Sequence, residues 1–237
     1  MDDIQKLLIS SAREYGIEVT PQQAESFQQY MALLLNWNEK INLTAITQPE
    51  EIVQKHFLDS ILLLKHLKLA KGSRLIDIGT GAGFPGVPLK LMRPEIELML
   101  LDGLNKRLLF LKDLSGKLNF DADFVHARGE EAARQKPYRE QFDFATARAV
   151  APLNILCEYC LPFLRMGGIF SAMKGPQPLE ELNAAKNAIT VLGCALCDVE
   201  GFELPNGDKR SVITIQRIKP LASIYPRHGA KITKNPL

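Results

Sequence analysis

The stretch LIDIGTGAGFPG, residues 75 to 86, decides the fold of this 237-residue chain. It begins as a short apolar run, turns through several closely spaced glycines and leads straight into residues with helical character. Glycines in such a turn let the backbone approach a ligand at the carboxyl end of a strand, where the next helix begins. The stretch therefore predicts the first strand and the ligand-binding turn of an α/β sheet.

Runs with strand character alternate with helix-length runs from Gly72 onward, which predicts parallel strands joined by right-handed crossovers. The last two runs flank Asn206-Gly207, a strong hairpin signal, so we expect a doubly wound, mostly parallel sheet that ends in an antiparallel hairpin. Residues 1–70 have the pattern of amphipathic helices and form a predicted N-terminal cap; residues 71–237 form the predicted α/β domain. The strand-like runs are RLIDIG, ELMLLD, ADFVHA, FDFATA, GIFSAMK, ALCDVEGFEL and SVITIQRI.

The composition is that of an ordinary globular protein, with 46% apolar and 24% charged residues. The sequence contains no secretory signal and no apolar run near the ~20 residues of a membrane span, so we expect a cytoplasmic protein. Its four cysteines form two CxxC pairs in apolar surroundings. We expect core thiols and no metal site, with a metal or redox pair as the alternative.

The glycines of the turn allow two ligand registers. Residues 81–86 match the GxGxxG dinucleotide fingerprint, but Pro85 removes one of the backbone N–H groups that a pyrophosphate needs. Residues 79–83 form GxGxG shortly after Asp77, whose carboxylate would repel phosphates and attract an ammonium group. A ligand with a ribose, an amino-acid tail and no phosphate fits this register better, which indicates S-adenosylmethionine. A nicotinamide-dependent oxidoreductase is the alternative function.

Turns after the next three strands extend the predicted site. Asp102 closes the second strand, where a carboxylate can accept both ribose hydroxyls. The Gly129 amide and Glu130 follow the third strand and are placed to read an adenine edge, although Glu130 could simply favour a helix start. Arg148 follows the fourth strand, where methyltransferases acting on exocyclic amines carry a different motif.

Five segments also carry a resemblance: LLNWNEKINLTAI at residues 34–46, HFLDS at 56–60, LIDIGTGAGFPG, the stretch Arg148-Ala-Val and the ending PRHGAKITKNPL. Together they resemble the RsmG (GidB) family of bacterial 16S ribosomal RNA guanine-N(7) methyltransferases over nearly the whole length. The resemblance implies a class I, Rossmann-like S-adenosylmethionine-dependent methyltransferase fold with an N-terminal helical extension. It also implies a guanine near the decoding centre as the substrate.

By position, the resemblance assigns Gly79, Phe84, Gly129, Glu130 and Arg148 to the cofactor site. Together with the acidic and glycine positions derived above, this completes the expected set of cofactor-binding residues. The predicted set is Asp77, Gly79, Gly81, Gly83, Phe84, Asp102, Gly129, Glu130 and Arg148.

The implied chemistry is an in-line displacement on a sulfonium methyl group. Guanine N(7) carries a lone pair and no proton, so no general base is needed and catalysis would rest on positioning two reactants. Arg148 is the candidate catalytic residue, engaging O(6), a phosphate or the cofactor carboxylate, with pairing to a neighbouring acid as the alternative. His56 and Asp59, one helical turn apart, are expected to bond each other or a helix end, with a substrate role as the alternative.

Basic residues are concentrated near the end of the chain. The net charge is only +2, but residues 209–237 hold seven of the 29 Lys and Arg residues and none of the 27 acidic ones. We therefore expect a basic tail that contacts phosphate, with solvated lysines as the alternative. The predicted partner is 16S ribosomal RNA or the small ribosomal subunit, bound by a monomer; a non-catalytic RNA-binding assembly factor is a further alternative. The predicted RNA contacts are Lys174, Arg227, Lys231 and Lys234.

Overall fold

The glycine-rich turn follows an inner strand of a seven-stranded sheet in a computed structural model that describes residues 1–237. The strands are β1 (Arg74–Ile78), β2 (Glu97–Asp102), β3 (Asp123–His126), β4 (Phe142–Arg148), β5 (Leu164–Lys174), β6 (Cys194–Glu203) and β7 (Lys209–Arg217). They lie in the order β3-β2-β1-β4-β5-β7-β6. Neighbours from β3 to β5 are parallel, whereas β7 runs antiparallel to β5 and β6. The predicted doubly wound sheet and its terminal hairpin are confirmed.

The succession of strands reverses at β1. From β1 the chain moves outward through β2 to β3 and then returns to place β4 on the other side of β1. Asp77 is therefore in register with Leu100 of β2 on one side and with Thr146 of β4 on the other. Open α/β sheets bind ligands outside the carboxyl ends of their strands at such a reversal, which is where the glycine-rich turn lies.

Helices cover both faces of the sheet and bury two apolar cores. Alternate residues of one strand point to opposite faces, so Leu75 contributes to the first core and Ile76 to the second. The α-helices are α1 (Asp3–Glu14), α2 (Pro21–Ile41), α3 (Pro49–Ile52), α4 (Asp59–Ile61), α5 (Gly86–Met92), α6 (Asn105–Leu118), α7 (Gly129–Ala132), α8 (Leu153–Cys160), α9 (Pro178–Val191) and α10 (Gly229–Lys234). A π-helical turn spans Val53–Leu58, and 3-10 turns span Leu62–Lys65 and Leu161–Phe163.

The N-terminal cap shares the first core with the sheet. Phe27 and Leu34 of α2 are buried in the same apolar cluster as Leu75 of β1 and Leu111 of α6. Helix α2 is preceded by the N-cap Thr20, whose side chain accepts from the backbone N–H of Gln23 in a capping box. The cap is therefore an extension of one face of the sheet and has no separate core. No helix combines the length and the apolar character needed to cross a bilayer.

The segment predicted as a basic tail is largely part of the sheet. Strand β7 lies between β5 and β6, and its Arg217 is 2% exposed and paired with Glu140 at 3.1 Å. Arg210, on the same strand, pairs with Asp208 at 3.0 Å. The prediction of an unopposed basic tail is therefore wrong for these residues, because the carboxylates of Glu140 and Asp208, which precede the segment in the sequence, neutralise them in the fold.

Three of the four cysteines are core thiols, as predicted. Cys157, Cys160 and Cys194 are buried, whereas Cys197 is exposed, and all four are free thiols. Burial raises the pKa of Cys194 to about 12, so this thiol is unreactive. The cysteines form no cluster with metal-ligand spacing; the one such group in the chain consists of His66, Asp198 and Glu200.

Candidate functional site

The glycine-rich turn is built around the buried carboxylate of Asp77. Its Oδ2 accepts hydrogen bonds from the Thr80 hydroxyl at 2.7 Å and from the Gly86 N–H at 2.9 Å. Burial raises the pKa of Asp77 to about 6. Only Oδ1 is left without a partner, and it too is buried. Asp77 thus holds the turn together, and the predicted attraction of a ligand's ammonium group would have to act through Oδ1.

The helical cap presses directly on this turn. Gly79, Gly81 and Gly83 have φ angles of 67°, 60° and 98°, in the left-handed region that suits glycine. A Cβ on Gly83 would lie 2.6 Å from the Tyr30 hydroxyl oxygen. That hydroxyl donates to the Ala82 carbonyl, so helix α2 fixes the backbone of the turn.

Phe84 links the cap to the site through its ring. It stacks on Tyr30, with ring centroids 5.4 Å apart, and on His56, with centroids 4.5 Å apart. The Arg148 guanidinium carbon lies 4.8 Å from the same ring centroid. Phe84 is only 5% exposed, so this predicted cofactor residue is mainly a packing element that brings Arg148 and the turn together.

Asp102 ends β2 beside the turn, as predicted, but its carboxylate already has partners. It accepts from the Gly81 N–H at 2.9 Å, from the Leu104 N–H at 2.8 Å and from Arg107 Nη1 at 3.3 Å. The side chain thereby joins the first and second strand ends. A ribose at this position would share the carboxylate with Gly81 and Arg107.

A small cavity of about 100 Å³ lies at the carboxyl ends of the first four strands. Its walls come from the ends of these strands, the turns that follow them and the helices α7 and α8. The lining residues are Ile78, Gly79, Leu101, Gly103, Ala127, Arg128, Gly129, Glu130, Val150 and Tyr159. Val150 covers the turn so closely that a Cβ on Gly79 would lie 2.7 Å from its side chain. Ligand pockets usually exceed ~300 Å³, so Val150 must move for a nucleoside to enter.

Arg148 is tied to the cap by three hydrogen bonds. Its Nη1 donates to the Lys55 carbonyl at 3.1 Å and to Asp59 Oδ2 at 3.0 Å, and its Nη2 donates to His56 Nδ1 at 3.2 Å. The alternative of pairing with an acid is therefore realised, and His56 and Asp59 bond Arg148 rather than each other. One N–H on Nη2 and the N–H on Nε have no partner within the chain.

His56 is held as a neutral imidazole of defined tautomer. Because Nδ1 accepts from Arg148, the ring proton is on Nε2, which donates to the Thr44 hydroxyl oxygen at 2.8 Å. Burial, together with the adjacent Arg148 charge, lowers the pKa of His56 to about 3. Its only lone pair is occupied, so His56 orients Arg148 and has no free base to offer.

A larger cavity of about 770 Å³ adjoins the small one and shares Val150 with it. Charged side chains from the cap, β4, β5, α9 and β7 line it, and of these Glu181 and Arg210 carried no functional signal in the sequence. The lining residues are Ile46, Lys55, His56, Asp59, Arg148, Ala149, Val150, Ala151, Pro152, Met173, Lys174, Gly175, Glu181 and Arg210. The cavity is large enough for a nucleotide.

Lys174 lies in the wall of this larger cavity, as its place at the end of β5 predicts. Its Nζ donates to the Ala151 carbonyl at 2.7 Å and pairs with Glu181 at 2.7 Å. Glu181 also accepts from the Leu153 N–H at 2.8 Å. Lys174 therefore braces the loop that carries Val150, and its charge is largely compensated.

The C-terminal segment lies against the adenine end of the predicted cofactor site. Arg227 donates to both oxygens of Glu158, a fully buried residue of α8. Arg227, predicted to contact RNA, is thus engaged in an ion pair within the fold, and its side chain is only 12% exposed. Lys231 and Lys234, on α10, are exposed and form no ion pair, so they remain available to phosphate.

Glu130 lies between the small cavity and this C-terminal segment. It lines the small cavity and also a neighbouring one of about 360 Å³, whose other walls include His228 and Gly229. A Cβ added at Gly229 would collide with Glu130 Oε1. The C-terminal segment therefore limits where the Glu130 carboxylate can lie, and no local sequence pattern indicates this relationship between residues 99 positions apart.

Comparisons with known proteins agree with this geometry. Residues 23–212 match the family model described as rRNA small subunit methyltransferase G. The chain is 47% identical over 234 residues to the ribosomal RNA small subunit methyltransferase G of Caldanaerobacter subterraneus subsp. tengcongensis and 46% identical over 233 residues to that of Alkaliphilus metalliredigens. In both cases 98% of each chain is covered.

The fold is that of class I S-adenosylmethionine-dependent methyltransferases. A SAM-dependent O-methyltransferase from Thermotoga maritima superposes with a TM-score of 0.54 at 14% identity, covering 80% of this chain and 72% of the other. The nicotinamide-dependent alternative finds no support in these relatives. The strand order, the glycine-rich turn, the match to the family model and the sequence identity of 46–47% over nearly the whole chain agree with one another: the chain belongs to the rRNA small subunit methyltransferase G (GidB) family.

Proposed function

We propose that this protein transfers a methyl group from S-adenosylmethionine to N(7) of a specific guanine in 16S ribosomal RNA. The observation that carries the proposal is the wall common to the two cavities, since Val150 lines both and Arg148 lines the larger. A cofactor in the smaller cavity and a base in the larger one would meet at the carboxyl end of β4. The names of the relatives supply the substrate class.

The residues around the smaller cavity suit S-adenosylmethionine, which supplies an electrophilic methyl group when bound. Ile78 and Leu101 offer apolar surface to an adenine ring. The Gly129 amide and the Glu130 carboxylate offer a donor and an acceptor to the edge of that ring. Asp102 lies at the end of the neighbouring strand, where a ribose would reach it.

The chain's contribution to the reaction is positioning, because guanine N(7) has no proton to lose. Arg148 is fixed by Asp59 and His56, and its two free N–H groups can donate to O(6) or to a phosphate while N(7) stays open. Holding both reactants in this way can account for ~7–11 kcal/mol of the barrier. The neutral His56 contributes orientation and takes no proton.

We place the RNA on the side of the sheet where the strands end. Lys55 and Arg210 border the larger cavity, where Glu51 and Asp208 pair with them, and Lys231 and Lys234 are exposed on α10 without an ion pair. Lys174 braces the Val150 loop and acts on the RNA only indirectly. We expect the protein to act as a monomer in the cytoplasm, where small subunits are assembled.

The test is methyl transfer to 16S RNA from a strain that lacks this gene, offered both as free RNA and in small subunits. With labelled S-adenosylmethionine we expect incorporation at one guanine, mapped by chain cleavage at the N(7)-methylated base. Arg148→Ala should reduce turnover strongly, whereas Arg165→Ala, an exposed arginine at the far end of β5, should not. RNA binding without incorporation would contradict the proposal and favour an assembly factor.

A further inference from the structure

Asp59 presents a buried acceptor that the fold leaves unsatisfied. The side chain is 4% exposed, and its Oδ2 is occupied by Arg148 Nη1 at 3.0 Å. Its Oδ1 has no hydrogen-bond partner. The nearest cationic atom is Arg210 Nε at 3.7 Å, which is longer than a hydrogen bond. A buried acceptor without a donor is energetically unfavourable, so a ligand that donates a hydrogen bond to this oxygen would relieve that cost.

The location of Asp59 limits what that ligand can be. Asp59 lines the 770 Å³ cavity beside Arg148, which is the cavity assigned above to the substrate base. An ionised carboxylate can only accept hydrogen bonds. Among the four RNA bases, guanine alone has two adjacent donors, N(1)–H and the N(2) amine, on its Watson–Crick edge. Adenine, cytosine and uracil each place an acceptor where one of these donors would be.

We propose that the Asp59 carboxylate selects guanine by accepting hydrogen bonds from its N(1)–H and N(2) amine. This inference rests on the proposed function and names the residue that sets its base specificity. Extruded bases are commonly read through their Watson–Crick edge. Guanine carries N(7) on the other ring, so one bound base can direct N(7) toward Val150 and its Watson–Crick edge toward Asp59.

The two arginines around Asp59 suit this role. Burial raises the pKa of Asp59, and the neighbouring Arg148 and Arg210 charges oppose that shift by favouring the ionised form. Arg210 also has a second carboxylate partner, Asp208, at 3.0 Å. It can therefore give way to an incoming base without losing its ion pair, while Arg148 keeps the other oxygen of Asp59 in place.

The experiment compares guanosine with inosine at the target position of 16S RNA assembled into small subunits. Inosine keeps N(7), O(6) and N(1)–H and lacks only the N(2) amine. For the wild-type protein we expect kcat/KM to be about tenfold or more lower with inosine, since inosine loses one hydrogen bond to a charged acceptor. Asp59→Asn should lower kcat/KM for guanosine and bring the guanosine-to-inosine ratio close to one.

Asp208→Asn is the matched control, because it removes the other carboxylate partner of Arg210 and should leave the ratio as in the wild type. Calorimetric affinity for S-adenosylhomocysteine should be the same in all three proteins. Equal rates of the wild type on both RNAs, or an unchanged ratio in Asp59→Asn, would overturn the inference and leave Asp59 as a support for Arg148. The wild-type ratio tests the inference even if the variant fails to fold. Absence of methylation of guanosine by the wild type would instead overturn the proposed function.

Discussion

Arg227 holds the carboxylate of Glu158 through both of its oxygens, with Nε 2.9 Å from Oε1 and Nη2 2.7 Å from Oε2. The backbone N–H of Arg227 donates to Oε1 as well, at 2.6 Å. Glu158 is fully buried in α8. This ion pair anchors the C-terminal segment to α8 and leaves Lys231 and Lys234 as the exposed basic residues beyond it.

We expect Arg227→Ala to lower the free energy of unfolding by about 3–5 kcal/mol. The reason is that the substitution leaves the Glu158 charge buried without a partner. Urea denaturation measures the change. Lys231→Ala, which removes an exposed and unpaired lysine, is the control and should change stability by less than ~0.5 kcal/mol. Equal stability of the two variants would show that Arg227 is not an anchor.

Exchange of Lys231 and Lys234 for alanine should weaken binding to 16S RNA without affecting the cofactor. Each lysine that neutralises a phosphate contributes about one unit to the slope of log affinity against log salt concentration. A filter-binding titration at several salt concentrations should show the slope falling by about two in the double variant. Lys71→Ala, at the amino ends of the strands, should keep the wild-type slope; an unchanged slope in the double variant would mean that both lysines are merely solvated.

Gly229→Ala should weaken cofactor binding while leaving the fold intact. The added Cβ meets only the end of a flexible side chain, so Glu130 shifts away from the small cavity. Losing one hydrogen bond to a charged group corresponds to roughly tenfold in affinity, measured by calorimetry with S-adenosylhomocysteine. Gly116→Ala is the control, since nothing lies within 4 Å of its added Cβ. Wild-type affinity in Gly229→Ala would separate the C-terminal segment from the cofactor site.

The stability of the protein should depend on the protonation of Asp77. Burial raises its pKa from 3.8 to about 6, so between these values the folded protein binds a proton more tightly than the unfolded chain does. Stability therefore falls as the pH rises through this window. The wild type should lose on the order of 3 kcal/mol relative to Asp77→Asn between pH 3.5 and pH 7.5.

Denaturation curves of both proteins at the two pH values provide the measurement for Asp77. The asparagine keeps an acceptor for Thr80 and Gly86 but has no charge to bury. A constant difference in stability between the two proteins across the window would show that Asp77 does not change its protonation there.

Much of the fold could be predicted because its signals are local. All seven strands overlap the runs of strand character in the sequence, and the Asn206-Gly207 hairpin closes the sheet as expected. The glycine-rich turn likewise lies at the strand reversal. These features depend on residues a few positions apart, so composition and periodicity reveal them.

The partners of the charged residues could not be predicted in this way. Arg148 meets Asp59 across 89 positions of sequence and Arg227 meets Glu158 across 69. No spacing rule links residues so far apart. For this reason Arg227 and Lys174 were expected to contact RNA, although carboxylates in the fold already hold them.

The sequence by itself determined the positions of the strands, the glycine-rich turn and the helical cap. Through its resemblance to a family, it also indicated the reaction to expect. Only the tertiary structure decided which charged side chains form ion pairs within the protein and which line the cavities. The physical reason is burial: an ion pair or an unsatisfied oxygen gains its importance from exclusion of water. Exclusion of water at Asp59, Asp77 and Glu158 arises only when distant segments pack together.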